Sequence, residues 1–247
     1  LKRAKAKYVL GLTATPVRRD GQQPIIFMQC GPIRHTAAKP EGAPQTLEVT
    51  PRFLSTAIVV HSDAGIQEVF RTLAVDDART ARIVGEIVDA YLQGRKVLVL
   101  TERTEHIGAA LSGLVQNLVT LQGRSSKKQR AAVLATLEAL APDAPRVLLS
   151  TGKLVGEGFD HPPLDTLILA MPISWKGTLQ QYAGRLHREH ADKTHVRIVD
   201  FVDSGHPALM RMWSKRQVGY RAMGYRVETS AGDLFISDNL QGDGPAL

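Results

Sequence analysis

The sequence predicts an α/β fold, a three-layer sandwich on a mostly parallel sheet. Three observations carry that expectation. From about Lys96 onward, short apolar β-rich runs alternate with longer amphipathic segments. Strand, helix and strand repeated in this way imply parallel pairing through right-handed crossovers. With 247 residues, 43% of them hydrophobic, the chain can bury a core, either as one large domain or as one domain plus pieces.

Taken in order, "KYVLGLT" (7–13) reads as a strand that stops at "ATP" (14–16), where Pro16 ends regular structure, and "PIIFMQCG" (24–31) as a second short strand. "RHTAAKPEGAPQ" (34–45), rich in Pro, Gly and Ala, reads as a linker, so a boundary is expected near residue 40. "TLEVTPRFLSTAIVV" (46–60) resumes β character, and two helical stretches follow at about 64–74 and 77–93. "KVLVLT" (96–101) is a buried strand and "TEHIGAALSGLVQ" (104–116) has helical spacing. A strand at 117–123 ending in Gly, a strong helix at 126–141 and strands at 146–151, 165–172 and 195–202 follow, with a helix at 178–189 before the last of them. A basic helix (207–224) and the short strand "YRVET" close the pattern, and the tail from Ala231 reads as loosely ordered. The expected division is thus 1–40, 41–230 and 231–247. Ligands of such sheets bind at the carboxyl ends of the strands, here the loops after Thr101, Gly123, Thr151 and Pro172.

Composition narrows the function classes. No run approaches the roughly 18 apolar residues a spanning helix needs, and "LKRAKAKYVL" is too short and too charged for a signal peptide. Cys30 is the only cysteine, which excludes an internal disulfide and a cysteine-based zinc site and fits a reducing, cytoplasmic setting. The formal charge of +7 favours polyanion partners. Most of that excess lies in residues 1–20, where Lys2, Arg3, Lys5, Lys7, Arg18 and Arg19 face Asp20 alone. Elsewhere a nucleic-acid surface must be a local patch. Candidates are Arg124, Lys127, Lys128 and Arg130, and a second group at Arg211, Lys215 and Arg216; each alone reads as a solvated helix face.

Two segments carry chemistry. In "STGKLVGEGFDHP" (150–162), glycines flank Glu157 in a loop following a buried strand, so backbone amides are exposed and a carboxylate is fixed. That carboxylate can accept from a ribose hydroxyl, and Thr151 can donate to a phosphate oxygen; alone, the segment reads rather as a Gly-rich βα loop with a capping aspartate. In "LQQYAGRLHREH" (179–190), a continuous helix would put Gln181, Gly184, Arg185 and Arg188 on one face of two turns. Arginine suits a triphosphate because its planar fork makes bidentate contacts and stays charged. A solvated face needs no mid-helix Gly, which costs about 1 kcal/mol relative to Ala.

"GLTATP", "VLVLTERTEH", "LQGRSSKKQR", "STGKLVGEGFDHP" and "QQYAGRLHR", in this order, resemble the later motifs of superfamily-two helicases, most of all the branch of restriction-subunit and XPB-like DNA translocases. The resemblance runs from the start of the chain to about residue 225. It implies a RecA-like C-terminal lobe of an ATP-dependent helicase or translocase, with ATP and Mg2+ held mainly by an N-terminal lobe. On that basis Thr13, Ala14 and Thr15 match motif III, which couples hydrolysis to lobe movement. Thr151, Gly158 and Asp160 match motif V, with Thr151 on the nucleic-acid backbone and Asp160 facing the ribose. Gln181, Arg185 and Arg188 match motif VI, whose two arginines reach the γ-phosphate, and Gly184 stands within it beside the nucleotide. Gly123 and Arg130 match the segment after motif IV, a backbone contact, and the loop at Arg103 adds another. The implied partner is nucleic acid, preferably double-stranded DNA, with no membrane involved.

No "GxxxxGK[ST]" loop and no "DExH" or "DEAD" tetrad occurs, so the phosphate cradle and the magnesium-holding carboxylates are absent from the chain. It begins almost at motif III, and the expectation is a fragment, inactive alone. His187 and His190, one turn apart with His195 nearby, have no carboxylate or third ligand fixed at suitable spacing, so no metal is expected. Neither a "GxSxG" elbow nor a G-x-G-x-x-G fingerprint is present. The alternative from another class is a catalytically silent module that reuses the lobe to bind nucleic acid or protein.

Overall fold

The computed structural model of the chain describes residues 7–12, 23–36, 44–54, 64–122, 125–151, 160–173, 176–188, 190 and 193–228. Seven strands form one sheet: β1 (Thr46–Leu54), β2 (Lys96–Leu100), β3 (Leu118–Leu121), β4 (Arg146–Ser150), β5 (Thr166–Leu169), β6 (His195–Asp203) and β7 (Arg226–Val227). Their order is β3-β4-β2-β5-β6-β1-β7, and every pairing is parallel. The helices are α1 (Gln23–Cys30), α2 (Ile66–Val75), α3 (Asp77–Leu92), α4 (Thr104–Leu111), α5 (Lys127–Glu138), α6 (Lys176–Leu186) and α7 (Pro207–Ala222).

Because a parallel sheet is covered on both faces, its inner strands read as near-continuous apolar runs rather than alternating ones. β2 shows the consequence. Leu98 and Leu100 point to one side, into a core with Leu137 of α5, Leu179 and Tyr182 of α6, and Trp213 and Tyr220 of α7. Val97 and Val99 point to the other, against Ile83 and Ile87 of α3 and Ile107 and Leu111 of α4. The three layers are therefore α3 and α4, the sheet, then α5, α6 and α7. Val69 and Leu73 of α2 pack apart from both, on Leu209 and Met212 of α7.

Local chemistry explains several element ends. Ser126 and Gln129 form a reciprocal capping box at the start of α5, with Ser126 Oγ accepting from Gln129 N (3.2 Å) and Gln129 Oε1 from Ser126 N (2.7 Å). Asp76 caps α3 by accepting from Arg79 N at 2.9 Å. The helix expected at 104–116 ends at Leu111, two residues before Gly113, which takes φ +82°.

The N-terminal part differs from the sequence reading. Residues 7–12 form no strand, and 24–31, read as a strand, are helix α1 with Gly31 beyond its end. Pro24 stands in the first turn, where its missing N–H costs nothing. Gly31, at φ +78°, donates back to Phe27 O (2.8 Å) and terminates the helix. The apolar run of 24–31 suits a strand only if a neighbour pairs with it, and none does among the described residues. The expected division near residue 40, the motif III residues Thr13, Ala14 and Thr15, and the tail from Ala231 all lie outside the described residues.

Candidate functional site

Parallel pairing places the site residues at two opposite edges of the sheet. After β2 the chain moves to β3 on one side, whereas after the neighbouring β5 it moves to β6 on the other. The carboxyl ends of β2 and β5 therefore flank a topological switch point. A crevice lies there, lined by Arg79, Thr101, Arg103, His106, Ala170 and Met171. Thr101 Oγ1 accepts from Arg103 N (3.0 Å), fixing the turn into α4, and the exposed Arg103 guanidinium reaches Ala74 O of α2 (3.0 Å). Arg79, buried, is held by a fork to Asp203 at 2.9 and 3.1 Å. Burial pushes the Asp203 carboxyl up, against the opposing pull of Arg79.

Thr151 follows β4 at this same edge, and its Oγ1 is buried with no hydrogen-bond partner among the described residues. Arg130 sits in the first turn of α5, which leaves β3 at that edge; its Nε donates to Ser125 O (3.2 Å). Gly123 lies outside the described residues. The carboxyl edge thus gathers Thr151, Arg103 and Arg130, as the sequence anticipates.

The arginine pair is elsewhere. α6 leaves β5 at the carboxyl edge and must return to the start of the parallel β6, so its last turn, with the half-buried Arg185, lies at the amino edge. Searching carboxyl ends alone would have missed it. α6 also ends at Leu186, so Arg188 does not share a helical face with Gln181, Gly184 and Arg185 as the spacing predicts. Beyond the helix end, His187 stacks on Tyr225 (ring centroids 5.5 Å apart, planes at 24°) and shares a 2.8 Å hydrogen bond with its hydroxyl. That contact competes with helical continuation and directs Arg188 toward Asp160, with Nε 3.3 Å from Oδ1. Gln181 is exposed on α6, and a Cβ at Gly184 would meet no described atom beyond its own helix backbone within 4 Å, so packing among the described residues does not require the glycine. Gly158 lies outside the described residues.

The segment carrying Asp160 is clamped by groups that sequence reasoning did not single out. The buried Arg146 at the start of β4 meets His161 Nε2 at 3.3 Å and caps the end of α5 through Leu137 O (3.1 Å) and Ala141 O. Burial, then the Arg146 charge, lowers the His161 pKa to about 4, so His161 is neutral and its Nε2 accepts. Lys193 Nζ donates to Pro162 O and to Leu164 O (3.1 Å). Its own pKa is lowered to about 8 by burial. Of the remaining histidine candidates, His195 Nε2 pairs with Glu48 Oε2 at 2.9 Å.

Arg216, grouped by sequence with a surface patch, is buried and forks onto Asp200 (2.7 and 3.0 Å), where Tyr220 OH also donates (2.7 Å). Its Nη1 donates to Ile173 O (3.0 Å), bracing the segment between β5 and α6. A signal was available: Asp200 sits inside an apolar strand and needs a buried cation, and Met212, Trp213, Arg216 and Tyr220 share one helix stripe. Arg211 and Lys215, by contrast, are exposed.

The helicase conserved C-terminal domain matches residues 80–190. Probable helicase D10 of Escherichia phage T5 is 28% identical over 232 residues, 91% of this chain and 49% of that protein. The putative ATP-dependent RNA helicase L396 of Acanthamoeba polyphaga mimivirus is 23% identical over 247 residues, 96% of this chain and 45% of that protein. The chain spans about half the length of these curated relatives. The crystal structure of T4 UvsW shares the fold, with a TM-score of 0.59 at 15% identity over 74% of this chain and 41% of that one. Parallel sheet, motif order and these matches together make the chain similar to the C-terminal lobe of superfamily-two helicases, with a RecA-like fold.

Proposed function

We propose that the chain is the C-terminal lobe of a nucleic-acid-dependent ATPase, a DNA helicase or translocase, which supplies Arg185 and Arg188 to ATP held by an N-terminal lobe. Residues 1–40 are then the end of that first lobe with the linker, 41–230 the second lobe, and 231–247 a tail. One observation carries the reading. The phosphate-reaching arginines and the strand-contacting residues occupy opposite edges of one rigid sheet, so a nucleotide and a nucleic acid can be engaged together without competing for the same side chains. Residues 7–12 and α1 support the division, since Tyr8, Leu10, Leu12 and Met28 are more than four-fifths exposed and pack on none of the sheet's cores.

The residues at the amino edge fit a nucleotide. Arg188 is half-exposed and already holds a carboxylate oxygen, an acceptor that a phosphate or ribose oxygen can replace. Asp160 is fixed by its clamped neighbours and accepts hydrogen bonds, as a ribose-facing group must. Bound ATP with Mg2+ supplies the transferable phosphoryl group. Arg185 and Arg188 stabilise the charge that spreads over its oxygens and orient it, while Gly184 adjoins Arg185 and Gln181 lies one turn before it on α6. Among the described residues no group of three His, Cys, Asp or Glu is placed to hold a metal. At the carboxyl edge Thr151, Arg103 and Arg130 contact backbone phosphates, of duplex DNA by preference, and Gly123, outside the described residues, is assigned the same role by the motif; such binding weakens steeply with salt.

The test is reconstitution. This polypeptide alone shows no ATP hydrolysis, and adding a first-lobe polypeptide that carries the phosphate loop restores DNA-stimulated hydrolysis. Hydrolysis by the chain alone, or none under any pairing, contradicts the proposal; the second result would favour the silent binding module.

A further inference from the structure

The two helical layers differ sharply in charge. On one face of the sheet, α3 and α4 carry Asp77, Glu86, Asp89 and Glu105 against Arg79 and Arg82. On the other, α6 and α7 contain no acidic residue at all, and α5 contains Glu138 alone among its charged residues that is not basic. Since the chain as a whole is close to balanced outside its first 20 residues, this asymmetry is a property of one layer.

Within that layer α7 is distinctive. Of its four basic residues, Arg216 turns inward to Asp200. The other three, Arg211, Lys215 and Arg221, are exposed and make no ion pair with a described carboxylate. At about 100° per residue they fall within one sector of roughly 120° and span about 15 Å along the axis. The uncharged positions of that sector, Pro207, Ser214, Val218 and Ala222, are exposed as well. An acid-free row of cations repels itself, and no described carboxylate pairs with it to offset the cost.

We infer that this outer face of α7 is a second phosphate-contact surface, one that extends the nucleic-acid track of the carboxyl edge along the side of the lobe. The inference rests on the proposal that the edge at Thr151 and Arg103 meets nucleic acid. α7 opens immediately after Asp203, the last residue of β6, and so begins at that edge and runs away from it. The chemistry selects a duplex. Single strands are gripped by aromatic platforms on which bases stack, but the aromatic residues of α7, Trp213 and Tyr220, are buried, and the exposed face offers no aromatic side chain and only Val218 as a large apolar one. Three cations in a row, beside Val218 as the one large apolar side chain and with no stacking partner, suit a rigid polyanion that presents one charge per about 1.7 Å of axis.

The experiment measures binding of the 247-residue chain to a long random-sequence DNA duplex over a series of salt concentrations, beside the R211Q/K215Q/R221Q variant, the single variant Lys215→Gln and the edge variant Arg103→Gln. Removing three phosphate contacts flattens the slope of log affinity against log salt by about 2.7, a loss on the order of a hundredfold at 0.1 M salt, and removing one flattens it by about 0.9. The single variant keeps the comparison meaningful should the triple variant fold poorly. Unchanged slopes in both α7 variants with a flattened slope in Arg103→Gln overturn this surface and leave the edge reading intact. A flattened slope in the α7 variants with none in Arg103→Gln supports the surface and removes Arg103 from the edge. No salt-dependent duplex binding by the parent chain overturns both, and equal losses on single-stranded DNA overturn the duplex assignment.

Discussion

Arg188 Nε lies 3.3 Å from Asp160 Oδ1, which ties the turn after α6 to the segment before β5 at the amino edge of the sheet. Both side chains are about half-exposed, so the pair contributes little to stability, on the order of 0–1 kcal/mol. A contact so cheap to open suits the proposed role of Arg188, in which the guanidinium exchanges its carboxylate for a phosphate.

The first expectation concerns that pair. Asp160→Asn leaves the urea midpoint almost unchanged, a difference below about 0.5 kcal/mol, because solvent replaces the lost contact. A loss above about 2 kcal/mol would show that the pair is part of the framework.

The buried pair behaves in the opposite way. Arg216→Met leaves Asp200 fully buried with Tyr220 OH as its remaining side-chain donor. The expected cost is about 3–5 kcal/mol, since an uncompensated buried charge remains. Combining it with Asp200→Leu removes that charge, so the double variant loses less than the sum of the two singles. Additive losses in urea unfolding would contradict the arrangement.

His161 gives a pH dependence with a defined sign. Its folded-state pKa is depressed to about 4, against about 6.5 in the unfolded chain. Between these values the unfolded chain binds a proton that the folded one refuses. The contribution is fully present above pH 6.5 and is lost as pH falls from 6.5 toward 4. Urea midpoints of His161→Gln, in which the amide oxygen can still accept from Arg146, fall less over that window than those of the parent. Parallel curves would rule out a neutral, buried His161.

α5 tests the edge near Arg130. Ser126→Ala removes the side chain that accepts from Gln129 N and costs about 1 kcal/mol of stability. It also frays the turn that carries Arg130 and lowers duplex affinity modestly. Unchanged stability would mean that the cap is solvent-replaced.

The sheet and most helices were legible because parallel strands buried on both faces leave uninterrupted apolar runs, of which "KVLVL" and "RVLLS" are clear cases. α1 was not, although its helical punctuation was present. Pro24 and Gly31 bracket a run whose hydrophobicity, taken alone, fits a strand equally well. The site was legible as a motif order and not as a geometry. Local spacing put Arg188 on the helix of Arg185, whereas a contact with Tyr225, far along the chain, ends that helix first. The separation of the site into two edges was likewise beyond local reading, because it follows from β5 and β6 being parallel neighbours. Arg216 shows the reverse failure: in sequence it is one more cation in a basic run, and only the demand of Asp200 for a partner turns it inward.

The central claim is that Arg188 acts on a nucleotide held across from this lobe. In a protein containing both lobes, Arg188→Ala should reduce kcat for nucleic-acid-stimulated ATP hydrolysis by about a thousandfold or more, with KM for ATP changed much less. A kcat within about threefold of the parent, with the fold intact, would contradict it.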